Sequence, residues 1–237
     1  MGTTTNLDFG KAFRELLPKF FSGAIEIVVL VTLVGFALAI VFGFLLAMGR
    51  FSKSKILNAI ITIFSEIIRG TPLLVQLVYI YYVVPVIIQM IYGVFGMSVS
   101  VNIDATTAGI IGFTINYGTY LSEVIRSAIL SIDNGQKEAS LALGFSPTQT
   151  MFRIIIPQAF RNSVPVFGNY LVMLVKDTSL MAYITCPELL MTTKAYTSQT
   201  FLTIEAYTLL ALVYLIICLP MAFGIKQLER KLNLNWR

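Results

Sequence analysis

Ile27 to Gly49 reads IVVLVTLVGFALAIVFGFLLAMG, a run without one Asp, Glu, Lys or Arg. At about 1.5 Å of rise per residue such a run crosses a hydrocarbon core roughly 30 Å thick as one helix. A helix apolar on every side belongs in lipid or in a deep core. Three further charge-free stretches, Gly70 to Ile103, Ala105 to Ser122 and Ala206 to Ile225, have the same character. A shorter fifth, Asn162 to Val175, runs through Lys176-Asp177-Thr178-Ser179 into Leu180 to Ile184 and reads as a span interrupted by polar residues. The composition agrees, since 57% of the 237 residues are hydrophobic and 12% charged, against roughly 25% charged in soluble domains. The sequence predicts an all-α membrane protein, one transmembrane domain over 1–237, with five transmembrane helices at about 24–48, 70–92, 105–126, 160–184 and 205–226.

Residues 1–20 do not read as a signal peptide, because Asp8, Lys11, Arg14 and Glu15 precede any apolar run. Phe9, Phe13, Leu16, Leu17 and Phe20 recur at helical spacing, which suits an amphipathic leader along the membrane surface. Cys186 and Cys218 make no disulfide framework. The net charge of +5 reports topology rather than nucleic acid, because the basic residues are spread among the ends of the spans. With the first helix running inward, Arg50, Lys53, Lys55 and Arg69 flank one inner loop and Arg126, Lys137, Arg153 and Arg161 a second. Lys226, Arg230, Lys231 and Arg237 then form an inner tail, so that twelve of the seventeen Lys and Arg lie inside. The positive-inside rule selects this N-out, C-in orientation. Gly93 to Ala105 then reads as an external turn, Cys186 to Glu205 as a larger external segment, and 133–157 as cytoplasmic.

That cytoplasmic loop is the most structured polar segment of the chain. Gln136 to Pro157 reads QKEASLALGFSPTQTMFRIIIP. Asp133 with Gln136 three residues on is a capping-box start, Gly144 supplies a left-handed stop, and Phe145 is placed to fold back on the last turn. Ser146, Pro147 and Gln149 form a second cap. Two short helices joined at Gly144 make a compact projection, with Ala139, Ala142 and Leu143 as small and apolar contact surface and Glu138 as its exposed charge.

Glu138-Ala139-Ser140, Gly144, Ile154 and Pro157 stand at the spacing of the EAA loop, and the chain resembles type I ABC importer permeases. Ser140 and Ile156 replace the alanine and leucine usual in that block. Arg69-Gly70-Thr71-Pro72-Leu73-Leu74-Val75-Gln76-Leu77, Tyr120-Leu121-Ser122-Glu123 leading to Arg126, and Lys176-Asp177-Thr178-Ser179-Leu180 are similar to segments of the polar amino-acid uptake branch, the histidine, glutamine, arginine and cystine permeases. These blocks cover most of Glu66 to Glu188 in family order. The resemblance implies that 133–157 holds a coupling helix between transmembrane helices 3 and 4, with Glu138, Ala139, Ser140, Ala142, Gly144 and Pro157 meeting a separate ABC-type ATPase. It implies that the ATPase binds ATP and magnesium, this chain holding no cofactor. It also implies a second permease copy, as homodimer or heterodimer, and an extracytoplasmic solute-binding protein, all at a bacterial cytoplasmic membrane. Pro187-Glu188-Leu189-Leu190 is most similar to cystine-type members.

Polar residues within spans mark a path independently of the family, because a charge near the bilayer centre costs at least about 2.5 kcal/mol and faces a cavity or a partner. Counting rise from the predicted ends, Gln76, Tyr79, Asn116, Tyr117 and Asp177 fall at overlapping depths on three helices. That set suits a small zwitterion, with Asp177 for an ammonium and Lys176 for a carboxylate, beside Thr178 and Ser179. An internal ion pair of Lys176 with Asp177, and interhelical bonds for Asn116 and Gln76, are the structural alternatives. Pro72, Pro85, Pro157, Pro165 and Pro220 mark places where helices bend. The chain has no histidine and no G-x-x-x-x-G-K-[ST] phosphate loop, so it carries neither a Ser–His dyad nor a nucleotide site of that type. The reading is a non-catalytic subunit of an ATP-driven amino-acid importer. The alternative is a self-contained secondary transporter or channel, which the odd number of spans disfavours because it leaves no inverted pair of halves.

Overall fold

A computed structural model describes residues 7–234, and the regular structure of the described residues is all helical, without a β-strand. The first six residues of the leader, and Arg237 of the basic tail, lie outside the described residues. Helix α1 is Phe9–Lys19, followed by a π-turn Phe20–Ala24 and then α2, Ile25–Arg50. Next come α3 (Lys55–Arg69), α4 (Leu73–Val78), a π-turn Tyr79–Val83, α5 (Val84–Val94) and α6 (Ala105–Leu130). Then follow α7 (Asn134–Ala142), α8 (Pro147–Thr150), a π-turn Met151–Ile155, α9 (Ile156–Asp177), a 3-10 segment Thr178–Ile184, α10 (Leu189–Thr200) and α11 (Thr203–Leu234).

Among the described residues three stretches are long and apolar enough to cross a membrane: Phe9–Arg50, Leu73–Val94 and Thr203–Leu232. The first has 42 residues, about 63 Å if straight, which is twice the hydrocarbon thickness. It is broken at Ser22 and Gly23, where Gly23 takes φ +140, so α1 is free to leave the axis of α2. Helix α6 has 26 residues and α9 has 22, but both are more polar. The reason in α6 is burial. Asn116, Thr119 and Ser122 are enclosed by protein together with Phe113, Tyr117, Leu121 and Ile125, and two of the hydroxyls bond back along the helix, Thr119 to the Asn116 carbonyl at 2.8 Å and Ser122 to the Thr119 carbonyl at 2.7 Å.

The chain packs as two units. Within the described residues one comprises 7–36, Pro72–Phe113 and Met173–Pro220, and the other Ala37–Thr71, Thr114–Val172 and 221–234. In the first unit α1 and the π-turn after it pack on α10, and Ala12, Leu16 and Phe20 are buried. The Tyr196 hydroxyl donates to Glu15 at 3.2 Å, and the Asp8 amide donates to Glu205 at 2.8 Å. The amphipathic leader is thus a helix with a protein face, while Phe9, Phe13 and Phe21 remain exposed. In the second unit α2 meets α6 where both are small. A Cβ on Gly43 would stand 2.8 Å from the Gly118 carbonyl, so the backbones touch there only because Gly43 has no side chain.

Two elements depart from the sequence expectation. The predicted inner loop between Arg50 and Arg69 is mostly the helix α3, whose Ile56, Ile60, Ile63 and Ile67 form one exposed stripe while Ile61 and Ser65 face inward. The predicted external segment after Cys186 contains α10, whose core residues Leu189, Thr193 and Tyr196 are mixed in polarity and give no apolar period. The span at 160–184 is not one α-helix. It tightens into 3-10 geometry after Asp177 and stops at Thr185, in left-handed conformation at φ 61. Of the five prolines expected to bend helices, Pro85 and Pro157 each follow a π-turn by two residues, where the missing N–H leaves a carbonyl of the preceding turn unserved. Pro72 caps α4, and Pro165 and Pro220 lie inside continuous helices. Cys186 and Cys218 are both free thiols.

Candidate coupling loop and solute path

The projection is built from local hydrogen bonds. Asp133 caps α7 by accepting the Gly135 amide at 2.7 Å. The reciprocal half of the expected first box is absent, because the Gln136 side chain turns instead to Gln158, 3.4 Å away on α9. Helix α7 ends in a Schellman motif, with the Phe145 amide donating to the Ser140 carbonyl at 3.1 Å and the Gly144 amide to the Leu141 carbonyl at 3.0 Å. Gly144 sits at φ +85, as its role requires. The second box is complete: Gln149 N–H donates to Ser146 Oγ at 3.3 Å, and Ser146 N–H to Gln149 Oε1 at 2.9 Å. Helix α8 is not a separate element, since its last residue leads through the π-turn directly into α9.

One face of this projection is bare. Glu138, Ala139 and Ala142 are exposed, and Leu143 is 78% exposed. Pro157 is exposed in the first turn of α9. Ser140 is not on that face. It is buried at 4% exposure, with its hydroxyl 2.8 Å from that of Thr150. An apolar Leu143 held in solvent by a capped turn is a surface suited to covering by another protein.

In the same unit three charged residues converge. Arg50 at the end of α2 and Arg69 at the end of α3 both pair with Glu123 on α6, the Arg69 contact at 3.1 Å. Arg69 also pairs with the exposed Glu66. Asn58 of α3 donates to the Arg50 carbonyl at 3.2 Å and so closes the end of α2. Glu123 borders a cavity of about 490 Å³ lined by Tyr120, Ser127, Asn162, Ser163 and Tyr170. The lining offers hydroxyls, an amide and a carboxylate rather than a purely apolar wall.

The residues placed on the solute path separate between the units. Gln76 is half-buried on α4, which packs against the 178–184 segment, and Tyr79 is half-exposed. Lys176 is exposed and Asp177 half-buried. Thr178 is fully buried with its hydroxyl donating to the Val175 carbonyl at 2.7 Å, and Ser179 donates to the Lys176 carbonyl at 2.8 Å. These six belong to the first unit. Asn116 and Tyr117 belong to the second, where Tyr117 lies edge-on to Tyr170 at 6.2 Å.

Residues 39–234 match the family described as binding-protein-dependent transport system inner membrane component. The chain belongs to this family. It is 34% identical over 223 residues to the glutamine transport system permease protein of Escherichia coli (strain K12), covering 94% of this chain and 97% of that one. It is also 34% identical over 213 residues to the L-cystine transport system permease protein of Bacillus subtilis (strain 168), covering 90% and 86%. Its fold matches a solved amino acid ABC transporter with histidines at a TM-score of 0.81 and 31% identity, over 95% of this chain and 99% of that one. An inward-facing methionine ABC transporter shares the fold at a TM-score of 0.63 and 18% identity. The chain is therefore a multi-pass ABC permease of the amino-acid group and a transport component rather than a catalytic enzyme.

For an ABC permease of this group, the charged cluster gives a physical reason for two of the sequence blocks. Arg69 opens one block and Glu123 closes another, and the two side chains meet. The sequence reading placed neither on the site. The available signal was charge: Glu123 is an acid near the end of a span, Arg50 and Arg69 stand at the ends of apolar helices, and such groups seek one another.

Proposed function

We propose that this chain is the membrane-spanning subunit of an ATP-driven importer that moves a polar amino acid into the cell by alternating access. In this reading five spans cross a bacterial cytoplasmic membrane with the N-terminus outside and the C-terminus inside. They are α2, α4 with α5, α6, α9 with its 3-10 extension, and α11. Two permease chains, two ATPase subunits that bind ATP and magnesium, and an external solute-binding protein complete the assembly. The α7–α8 projection docks the ATPase through Glu138, Ala139, Ala142 and Gly144, with Leu143 as the apolar contact and Pro157 at the root of α9.

The observation that carries this reading is the bare face of α7, ended by Gly144 at φ +85 and followed by a complete capping box, in a chain that has no nucleotide loop of its own. A surface fixed by three local caps and left unfilled on one side is built to be met from outside. The amino-acid class rests on the glutamine and cystine relatives and on the 0.81 structural match. The Pro187–Leu190 segment favours a cystine-type solute within that class. Gln76, Tyr79 and Lys176 to Ser179 form the first part of the path and Asn116 and Tyr117 the second, with Asp177 receiving the ammonium.

Affinity purification of the chain from its native membrane tests the docking. An ATPase subunit should be retained, and Glu138→Lys or Gly144→Asp should reduce its recovery at least about tenfold. Full retention by both variants sinks the docking assignment.

A further inference from the structure

We propose that Ser140 and Thr150 form a clasp that positions α7 for coupling, passing movement of the docking helix to α9 through one hydrogen bond across the Gly144 turn. The inference rests on reading the α7–α8 projection as the docking surface. Its basis is the inner side of that projection. Ser140 is 4% exposed and Thr150 2% exposed, whereas Glu138 and Ala139 beside Ser140 are open to solvent. The Ser140 hydroxyl lies 2.8 Å from Thr150 Oγ1 and 2.9 Å from the Lys137 carbonyl. A carbonyl only accepts, and a serine hydroxyl has one proton. Ser140 Oγ is the donor in both contacts, its proton shared between the Lys137 carbonyl and Thr150 Oγ1. A buried hydroxyl on α8 is thereby joined to the backbone of α7.

Packing duplicates this link only in part: α7 touches α8 and the π-turn, but its inner side is not filled along its whole length. Beneath the projection lies a cavity of about 200 Å³, lined by Phe51, Ile129, Ile132, Met151 and Ile155 together with Lys137 and Thr150. A helix seated over a void is not held at a fixed distance by close-packed side chains, which elsewhere make interiors transmit strain. Polar contacts take over that role. Besides Ser140–Thr150 the bond from Gln158 to Gln136 at 3.4 Å is exposed and long. Thr150 is the last residue of α8 and continues through the π-turn into α9, so a displacement at Thr150 is a displacement at the root of a transmembrane segment. The void gives α7 room to be pressed inward, and the clasp decides whether pressing moves α9.

The test is solute uptake per ATP hydrolysed, measured in proteoliposomes holding the permease with its co-purified ATPase, together with hydrogen exchange of residues 134–143 in the permease alone. Thr150→Val keeps the shape and removes the acceptor of the Ser140 hydroxyl, and should lower uptake per ATP about five-fold while ATPase retention is unchanged. Exchange over 134–143 should rise in the same variant. Thr150→Ser restores the hydroxyl and should return both readouts to within about two-fold of the parent. Ser140→Ala should match Thr150→Val, and the double variant should be no worse than either single, because both remove one bond. Unaltered uptake per ATP in Thr150→Val, or equal failure of Thr150→Ser, overturns the clasp while leaving docking intact. Loss of the ATPase from the parent preparation overturns the docking reading, and the clasp's coupling role with it.

Discussion

The α7–α8 projection and the Arg50–Glu123–Arg69 cluster belong to the same packed unit and are made in opposite ways. The capping bonds that shape the outline of the projection join residues a few positions apart: Asp133 to Gly135, Ser140 to Phe145, Ser146 to Gln149. The cluster joins positions 50, 69 and 123, brought together only when α2, α3 and α6 pack. The first kind of structure is stable against changes elsewhere and exposed to changes within itself. The second fails as a whole if one member is removed.

The largest effect is therefore expected at Glu123. Glu123→Ala leaves Arg50 without its carboxylate and Arg69 with only the exposed Glu66, the two arginine side chains being 11% and 19% exposed, and should destabilise the solubilised permease by about 3 kcal/mol. Thermal unfolding followed by tryptophan-independent dye binding measures it. A loss under about 1 kcal/mol would mean that the cluster is ornamental.

Glu188 is the intermediate case, local on one side and long-range on the other. It is fully buried, caps α10 by accepting the Leu190 and Met191 amides at 2.8 Å, and receives the Tyr214 hydroxyl at 3.3 Å from α11. Burial pushes its carboxyl up to about 7, against the opposing pull of those bonds. Because the folded value lies above the ordinary 4.5, its contribution to stability is complete below about pH 4.5 and is lost as pH rises through 7. Unfolding temperature should fall between pH 5 and pH 8, by a free-energy change of up to about 3 kcal/mol. Glu188→Gln should flatten that slope, and a slope that survives the substitution assigns the titration to another group.

Smaller and more local effects are expected in the projection. Gly144→Val forces a branched residue into φ +85 at a cost of about 1–2 kcal/mol, felt as loss of ATPase recovery with the rest of the chain folded. Ser146→Ala removes one half of the capping box for about 1 kcal/mol and should increase hydrogen exchange at residues 146–150 only. If either variant unfolds the chain globally, the contrast between local and long-range construction is wrong.

The same contrast explains what was legible in the sequence. The membrane class, the projection, its left-handed glycine and its second capping box follow from neighbours in the chain, and the structure agrees. The family followed from block spacing, and the comparisons agree. Helix α3 is hard to read because Lys53, Lys55, Glu66 and Arg69 frame it like a charged inner loop, and only the spacing of its exposed isoleucines, three or four residues apart, marks a helix. Helix α10 was missed because buried threonines and a tyrosine replace an apolar stripe. The half-formed first box depended on Gln158, twenty-two positions from Gln136, and no local rule foresees such a competitor. The inward turn of Ser140 is likewise set by Thr150, across a turn whose existence was legible but whose closure was not.

Amino-acid uptake into proteoliposomes, with the permease alone and with its ATPase subunits, tests the central claim most directly. Uptake should require both the ATPase and ATP, and should collapse in Gly144→Asp. Uptake by the permease alone under an ion gradient, with no gain from ATPase and ATP, would contradict it.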